Sequence, residues 1–249
     1  MKARNYWVTL MDMQVVILAG GLATRLGDLA RNRPKSMLRI RGKPFLEYQL
    51  ELLQRGGIKN IVLCIGHMGE QIERRFGDGR RYGVNIMYSL ENRLLGTAGA
   101  LKKAEHLLDN VFFTMYGDSY LSMDFPATMR YFKSRNKLAL MTVYKNCDRY
   151  DRSNTVVEGN LVKKFSKKEK PKAMVYVEYG ANILKKEALN MIPENQFYSL
   201  DDLFPRLIEM GELLAFEVKE RFYEIGSPQG LMEFEHYIKE RNDTLQSAN

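Results

Sequence analysis

The chain has 249 residues, 45% hydrophobic and 11% aromatic, which suits one domain with a sizeable core. Its formal charge is +8, yet apart from one lysine run the cations are scattered and no nucleic-acid module is recognisable, which argues against a duplex-binding surface. There is no secretory leader or apolar run of about eighteen residues, and Cys64 and Cys147 offer no metal-ligand spacing. The chain therefore reads as cytoplasmic, with neither nucleic acid nor a membrane as partner.

Residues 1–12 carry no clear pattern and are expected to be an N-terminal extension, with Met13 a natural alternative start. Val15, Val16, Ile17 and Leu18 then form a short apolar run, the mark of a strand buried on both faces. It ends in Ala19-Gly20-Gly21, where missing side chains let the backbone turn sharply and approach a ligand. Exposed N–H groups in such a turn can cradle a phosphate, and a following helix would add its positive dipole end. Arg25 and Lys35 lie just beyond, a planar fork and a point charge suited to phosphate oxygens. The stretch is neither a P-loop nor a dinucleotide fingerprint. By spacing alone it fits either a triphosphate cradle or a tight turn with Arg25 and Lys35 solvated.

The order LAGG-L-A-T-R-L, P-K-S-M-L and I-R-G-K-P-F resembles the sugar-1-phosphate nucleotidyltransferases, whose signature is roughly L-A-G-G-x-G-T-R-L…P-K-x-M…G-K-P. Later landmarks recur in order, so the resemblance runs from Met13 to about Ile238. Ala23 replaces the usual third glycine, a change that matters if the position needs a positive φ. The resemblance implies an NTP and a sugar 1-phosphate as substrates, with Mg²⁺ as cofactor. Arg25 and Lys35 would then act on the triphosphate, with Leu18, Ala19, Gly20 and Gly21 around the nucleotide.

Along the chain, Pro44–Arg55 has a helical apolar pattern stopped by Gly56-Gly57, and Ile61–Ile65 is a buried strand containing Cys64, read as a core thiol. Gly69–Phe76 reads as helix and Val84–Tyr88 as strand. This rhythm predicts a doubly wound, mostly parallel sheet with its ligands beyond the strands' carboxyl ends. The segment Glu91-Asn92-Arg93-Leu94-Leu95-Gly96-Thr97-Ala98-Gly99 is similar to the family's base-reading loop, E-x-x-P-L-G-T-A-G, with Leu94 for proline. The segment opens a helix running to about Leu108; Glu91, Gly96 and Thr97 would border the base, and the alternative is a plain helix start with Thr97 near the first turn. Val111–Tyr116 is a strand, and Asp118 directly after it matches the family's metal aspartate, with a helix cap as the rival role.

Phe125–Ser134 reads as helix and Leu138–Tyr144 as strand. Beyond Tyr150 short runs at Thr155–Val157, Leu161–Phe165 and Val175–Val177 alternate with charges, expected as a small sugar-binding lobe. Arg152-Ser153-Asn154 stands where the family has R-Y-G, and Asn154 tolerates a left-handed turn better than most residues. In Phe165-Ser166-Lys167-Lys168 the resemblance assigns Lys168 to the sugar phosphate, with Lys167 replacing an acid that contacts sugar hydroxyls. In Glu178-Tyr179-Gly180, in place of N-A-G, the acid has moved to Glu178, and Gly180 completes the set. Ser199–Met210 reads as a helix with a Ser199/Asp202 capping box and a kink at Pro205. Leu213–Val218 and Phe222–Ile225 read as strands and Pro228–Tyr237 as a closing helix. Glu224 occupies the family's second metal position, one methylene longer than aspartate, with a merely satisfied buried acid as the alternative.

The expectation is therefore one α/β domain over 13–240: a Rossmann-like nucleotide-binding half (13–145), then a sugar lobe and closing helix (146–240). It would make an NDP-sugar and pyrophosphate for glycan precursors, with Asp118 and Glu224 on Mg²⁺. No hexapeptide repeats follow Ile238, so no fused left-handed β-helix is expected. Heptose- or mannose-1-phosphate guanylyltransferases are the nearest resemblance; GTP is the favoured nucleotide and a homodimer a possible assembly. Two rivals remain: a CTP-dependent cytidylyltransferase acting on a phosphorylated alcohol, and a non-catalytic nucleotide-sugar-binding regulatory subunit.

Overall fold

The computed structural model describes residues 13–21, 24–169 and 171–247; for Thr24, Arg25, Asp28, Asn242 and 244–247 it describes the backbone alone. β1 (Gln14–Leu18) is buried on both faces because its side chains alternate. Val15 and Ile17 enter one apolar cluster and Val16 enters another across the sheet. β2 (Arg39–Ile40) and β3 (Lys43–Pro44) form a short hairpin that leads into α1 (Phe45–Arg55). β4 (Asn60–Ile65), α2 (Gly69–Phe76), β5 (Asn85–Leu90), α3 (Gly96–Ala104) and β6 (Val111–Tyr116) follow.

β7 (Ser119–Tyr120) follows, then α4 (Phe125–Lys133), whose cap Asp124 accepts from the Ala127 amide at 2.8 Å. The chain continues through β8 (Ala139–Lys145), β9 (Thr155–Glu158), β10 (Leu161–Phe165), β11 (Tyr176–Lys185), α5 (Leu200–Glu209), β12 (Leu213–Val218), β13 (Tyr223–Glu224) and α6 (Pro228–Ser247). At α5 the Asp202 carboxylate accepts from the Ser199 amide (2.9 Å) and hydroxyl (2.6 Å), so the expected capping pair forms. α5 runs unbroken through Pro205.

Nine strands form one sheet in the order β5-β4-β1-β6-β11-β8-β12-β10-β9. The first four are parallel, as the strand–helix rhythm predicts. The remainder corrects the mostly parallel expectation, because β11 runs antiparallel to both β6 and β8. A parallel partner needs a long crossover, usually a helix, and among the described residues no helix lies between β8 and β11. β9 and β10 extend the same sheet at its far edge, β10 antiparallel to β12 and β9 antiparallel to β10, instead of forming a separate lobe. The short run at Val175–Val177 is only the start of β11, whose ten residues continue past Gly180; the register shifts between Glu178 and Asn182.

Helices cover both faces. Leu46, Leu50 and Leu53 of α1, Ile72 and Phe76 of α2, and Phe125, Met129 and Phe132 of α4 bury one face; α3 and α5 bury the other with Leu101, Leu203, Phe204 and Leu207. Cys64 sits in the second cluster, fully buried, and burial pushes its thiol up. A third cluster anchors α6, which extends ten residues beyond the expected Tyr237. There Phe234 meets the rings of Phe45 and Tyr120, each at 5.1 Å between centroids. Full burial of such a side chain stabilises by roughly 1.5–3 kcal/mol, and it fixes α6 beside β13, the strand that carries Glu224.

Candidate active site

Backbone hydrogen bonds bring the ends of the parallel strands together. The Ala19 amide donates to the Cys64 carbonyl (2.8 Å), the Gly117 amide to the Leu18 carbonyl (2.9 Å) and the Glu91 amide to the Ile65 carbonyl (2.8 Å). The loops after β1, β5 and β6 therefore converge, as ligand sites in open α/β sheets require. They enclose a cavity of about 310 Å³ lined by Leu18, Ala19, Gly20, Gly21, Lys35, Glu91, Gly96, Thr97 and Asp118, all singled out in the sequence. Ser36, Leu94, Ala100, Tyr116, Gly117 and Phe197 complete the wall. The glycines matter for two reasons. A side chain on Gly20 would put its Cβ 2.8 Å from Glu91 Oε1, and Gly96 holds φ +73° with its backbone against Tyr198.

The expected helix after the glycine turn is absent. Thr24–Ala30 is a 3₁₀ stretch interrupted at Gly27, whose φ of 50° and ψ of −126° are not helical. No regular dipole can build there. Arg25 lies in this stretch and its side chain is outside the described residues, as is Ala23. Lys35 sits in a 3₁₀ turn, Lys35–Met37, and its Nζ donates to Asp118 Oδ2 at 2.7 Å.

The loop from Glu91 to Gly99 is partly used by the fold itself. Thr97 Oγ1 accepts from the Leu200 amide at 2.8 Å, and the Ala98 and Gly99 amides both donate to the Tyr198 carbonyl. The α3 N-terminus thus locks α5 in place. Glu91 Oε2 accepts from the Leu95 amide at 3.1 Å, and burial raises its carboxyl above the usual range despite that bond and the charge of Lys103. Phe197 and Leu94 stand at the cavity wall 67% and 51% exposed, an unusual setting for large apolar side chains.

A second cavity, about 220 Å³, lies against the first, and Tyr116 and Asp118 line both. Asn154, Glu178, Gly180 and Glu224 line it as well, with Asp151, Lys167 and Phe222. β13 pairs with β7 so that Glu224 lies opposite Ser119, and the Ile225 amide donates to the Asp118 carbonyl at 2.9 Å. The main chain thereby sets Asp118 and Glu224 side by side across about a hundred residues of sequence. Both are hard oxygen donors, so the pair fits Mg²⁺, which takes few protein carboxylates and keeps water and substrate oxygens. No cluster of three or more His, Cys, Asp or Glu suited to a metal occurs among the described residues.

Lys168, the lysine assigned by resemblance, does not line this cavity. It is exposed, its amide donates to Ser166 Oγ (3.2 Å) and its carbonyl accepts from Arg152. Lys167 lines the wall instead, paired with Asp201 at 2.9 Å. Burial alone would lower the pKa of Lys167, but Glu178 and Asp201 outweigh it and raise it. Glu178 is buried, accepting from Asn182 (2.8 Å) and Tyr116 (3.2 Å); burial keeps its carboxyl above the usual range. Asn154 does not use a left-handed backbone; Cys147 (φ 49°) and Asp148 (φ 59°) do. Asn154 is instead a brace, its Oδ1 accepting from the Glu178 amide at 2.9 Å.

Ser36, Phe197 and Lys167 were not assigned to the site from sequence. Ser36 adjoins Lys35 in P-K-S-M and Lys167 adjoins Lys168, so proximity to a motif was the available signal; Phe197 had none.

Comparison with known proteins identifies the family. A family model described as Nucleotidyl transferase matches residues 14–241. The chain belongs to the nucleotidyl transferase family. A D-glycero-alpha-D-manno-heptose 1-phosphate guanylyltransferase of Campylobacter jejuni is 32% identical over 222 residues, spanning 89% of this nucleotidyltransferase and 98% of the relative. A UTP–glucose-1-phosphate uridylyltransferase of Synechocystis is 31% identical over 217 residues, 80% of this chain but 56% of its own length. A mannose-1-phosphate guanyltransferase of Saccharomyces cerevisiae is 29% identical, 88% of this chain and 63% of its own. The chain thus spans little more than half to two thirds of those two longer enzymes. Among solved structures, HddC from Yersinia pseudotuberculosis superposes with a TM-score of 0.78 at 27% identity, covering 91% of this chain and 99% of HddC. HddC complexed with GMP-PN gives 0.76 at 28%, covering 89% and 97%.

Proposed function

We propose that this nucleotidyltransferase condenses an NTP with a sugar 1-phosphate, releasing pyrophosphate and an NDP-sugar for glycan precursors. The observation that carries the reading is the pair of adjoining cavities that share Asp118 and Tyr116. One holds a glycine-lined nucleotide bed, the other a polar bed suited to a polyhydroxylated acceptor. In the reaction, a phosphate oxygen of the sugar 1-phosphate bonds to the α-phosphorus while the bond to pyrophosphate breaks. The protein's part is alignment and charge neutralisation. Arg25 and Lys35 would neutralise the triphosphate, and Lys167, the lysine on the cavity wall, would take the place assigned to Lys168 beside the sugar phosphate. Glu178, Asn154 and Gly180 would border the sugar. Asp118 and Glu224 would hold Mg²⁺, which supplies neutralisation of the reacting phosphates when bound.

GTP is the nucleotide we favour. An ionised Glu91 is acceptor-only, whereas guanine carries adjacent N1–H and N2–H₂ donors. The Campylobacter relative is named for a heptose 1-phosphate and GMP transfer, and the same substrates are proposed here. A cytoplasmic setting accords with the free thiols of Cys64 and Cys147. The test is pyrophosphate release across a matrix of NTPs and hexose and heptose 1-phosphates with Mg²⁺. GTP with a heptose or mannose 1-phosphate is expected to give the fastest release. No release from any pair, with nucleotide-sugar binding retained, would refute catalysis.

A further inference from the structure

Ser36 occupies the 3₁₀ turn Lys35–Met37 and is 2% exposed. The turn is held by its own backbone, the Met37 amide donating to Pro34 and the Leu38 amide to Lys35, so the Ser36 hydroxyl is not needed to close it. Among the described residues, Ser36 Oγ has no hydrogen-bond partner. Three other buried side-chain atoms share that state, on Gln49, Asn182 and Arg221, but of the four residues only Ser36 lines the nucleotide cavity. A hydroxyl taken out of water without a partner is a cost to the folded protein, and buried polar groups in native proteins are nearly always paired. The neighbours on the wall indicate the missing partner. Lys35, the preceding residue, already points its ammonium at Asp118, and Gly20 and Gly21 contribute no side chains. A donor beside a cation and a bare backbone turn matches an anionic oxygen.

We propose that Ser36 is a further nucleotide-binding residue, its hydroxyl donating to a phosphate oxygen of the bound nucleotide. The inference rests on the nucleotide reading of the cavity. It makes Ser36 a group that is unsatisfied in the free protein and satisfied in the complex. Two effects of Ser36→Ala therefore have opposite sign. Removing an unpaired hydroxyl leaves the free protein as stable as wild type or more so. Removing a hydrogen bond to a charged phosphate weakens nucleotide binding, by about tenfold or more.

The experiment pairs thermal melts of the free proteins with calorimetric titrations of GTP–Mg²⁺ and of guanosine. The expected result is an unchanged or raised melting temperature for Ser36→Ala, about tenfold weaker GTP binding and unchanged guanosine binding. A lowered melting temperature of the free variant overturns the proposal, because the hydroxyl then has a partner inside the protein. GTP binding equal to wild type overturns it too, as does an equal loss for guanosine, which has no phosphate. If wild-type protein binds none of GTP, ATP, UTP or CTP, the nucleotide reading itself fails and this inference falls with it. That outcome is distinguished from a failure of Ser36 alone by the wild-type titration.

Discussion

Lys35 Nζ donates to Asp118 Oδ2 at 2.7 Å, joining the turn after the glycine loop to the end of β6. The candidate triphosphate cation and the candidate metal carboxylate thus neutralise one another in the free protein. Each side chain is only 18–23% exposed, so neither charge is left bare before substrates arrive. Substrate phosphates and Mg²⁺ would exchange one ion pair for two others, keeping the site electrically balanced.

Lys35→Ala is accordingly expected to lower turnover by about two orders of magnitude or more, the scale of one lost transition-state donor in a dry site. The fold should persist with a lowered melting temperature, since the largely shielded Asp118 loses its partner while the three apolar clusters stay intact. Pyrophosphate release and a thermal melt check the two halves. Near-full activity would make Lys35 a surface lysine and remove the phosphate reading of this turn.

Glu224 tests the metal pair. Glu224→Gln should raise the Mg²⁺ concentration for half-maximal rate, because an uncharged amide is a poorer ligand for a hard cation. Glu224→Asp should give intermediate activity, above Gln and no better than wild type, because the β7–β13 ladder places the backbone for the longer side chain. Unchanged Mg²⁺ dependence in Glu224→Gln would leave Asp118 to act with substrate oxygens and water.

Phe197 is exposed and lines the first cavity beside Leu94. If it covers the base, Phe197→Ala should raise KM for the NTP by about fivefold or more, the low end of base–aromatic stacking. Its melting temperature should not fall, because so exposed a ring contributes little burial. Steady-state kinetics at saturating sugar phosphate decide the point; an unchanged KM removes Phe197 from the site.

Glu178 gives a pH signature. Burial holds its carboxyl above the usual range, outweighing the charge of Lys167 and the bond from Asn182. Between the ordinary and the raised pKa the folded protein keeps a proton that the unfolded chain has released. The stability tied to this group is therefore complete below the ordinary carboxylate pKa and is lost as pH rises through the raised one. As pH rises above the ordinary carboxylate pKa of about 4, the melting temperature of wild type should fall relative to Glu178→Gln. Parallel curves would show that Glu178 ionises as it does in the unfolded chain.

The glycine turn, the core position of Cys64 and the Ser199/Asp202 cap follow from the sequence alone, each from neighbours within a few residues. The parallel half of the sheet follows from the strand–helix–strand rhythm, because a crossover helix returns the chain in the same direction. The sequence also places Lys35, Glu91, Asp118 and Glu224 in motifs, and the fold brings all four to adjoining cavities. Only the tertiary structure decides that β11 runs antiparallel, because strand direction is set by distant partners and not by the strand's own pattern. Only it decides that Lys167 lines the wall while Lys168 does not, for both lie in the bend after β10, where no regular period sets which way successive side chains face. Thr97 and Ser36 make the same point in opposite directions. Thr97 reads as a ligand contact, yet its hydroxyl already holds α5; Ser36 has no role that its motif assigns, yet its hydroxyl is buried with no partner among the described residues. Hydrogen-bond satisfaction is a property of the assembled interior, and a linear sequence does not contain it.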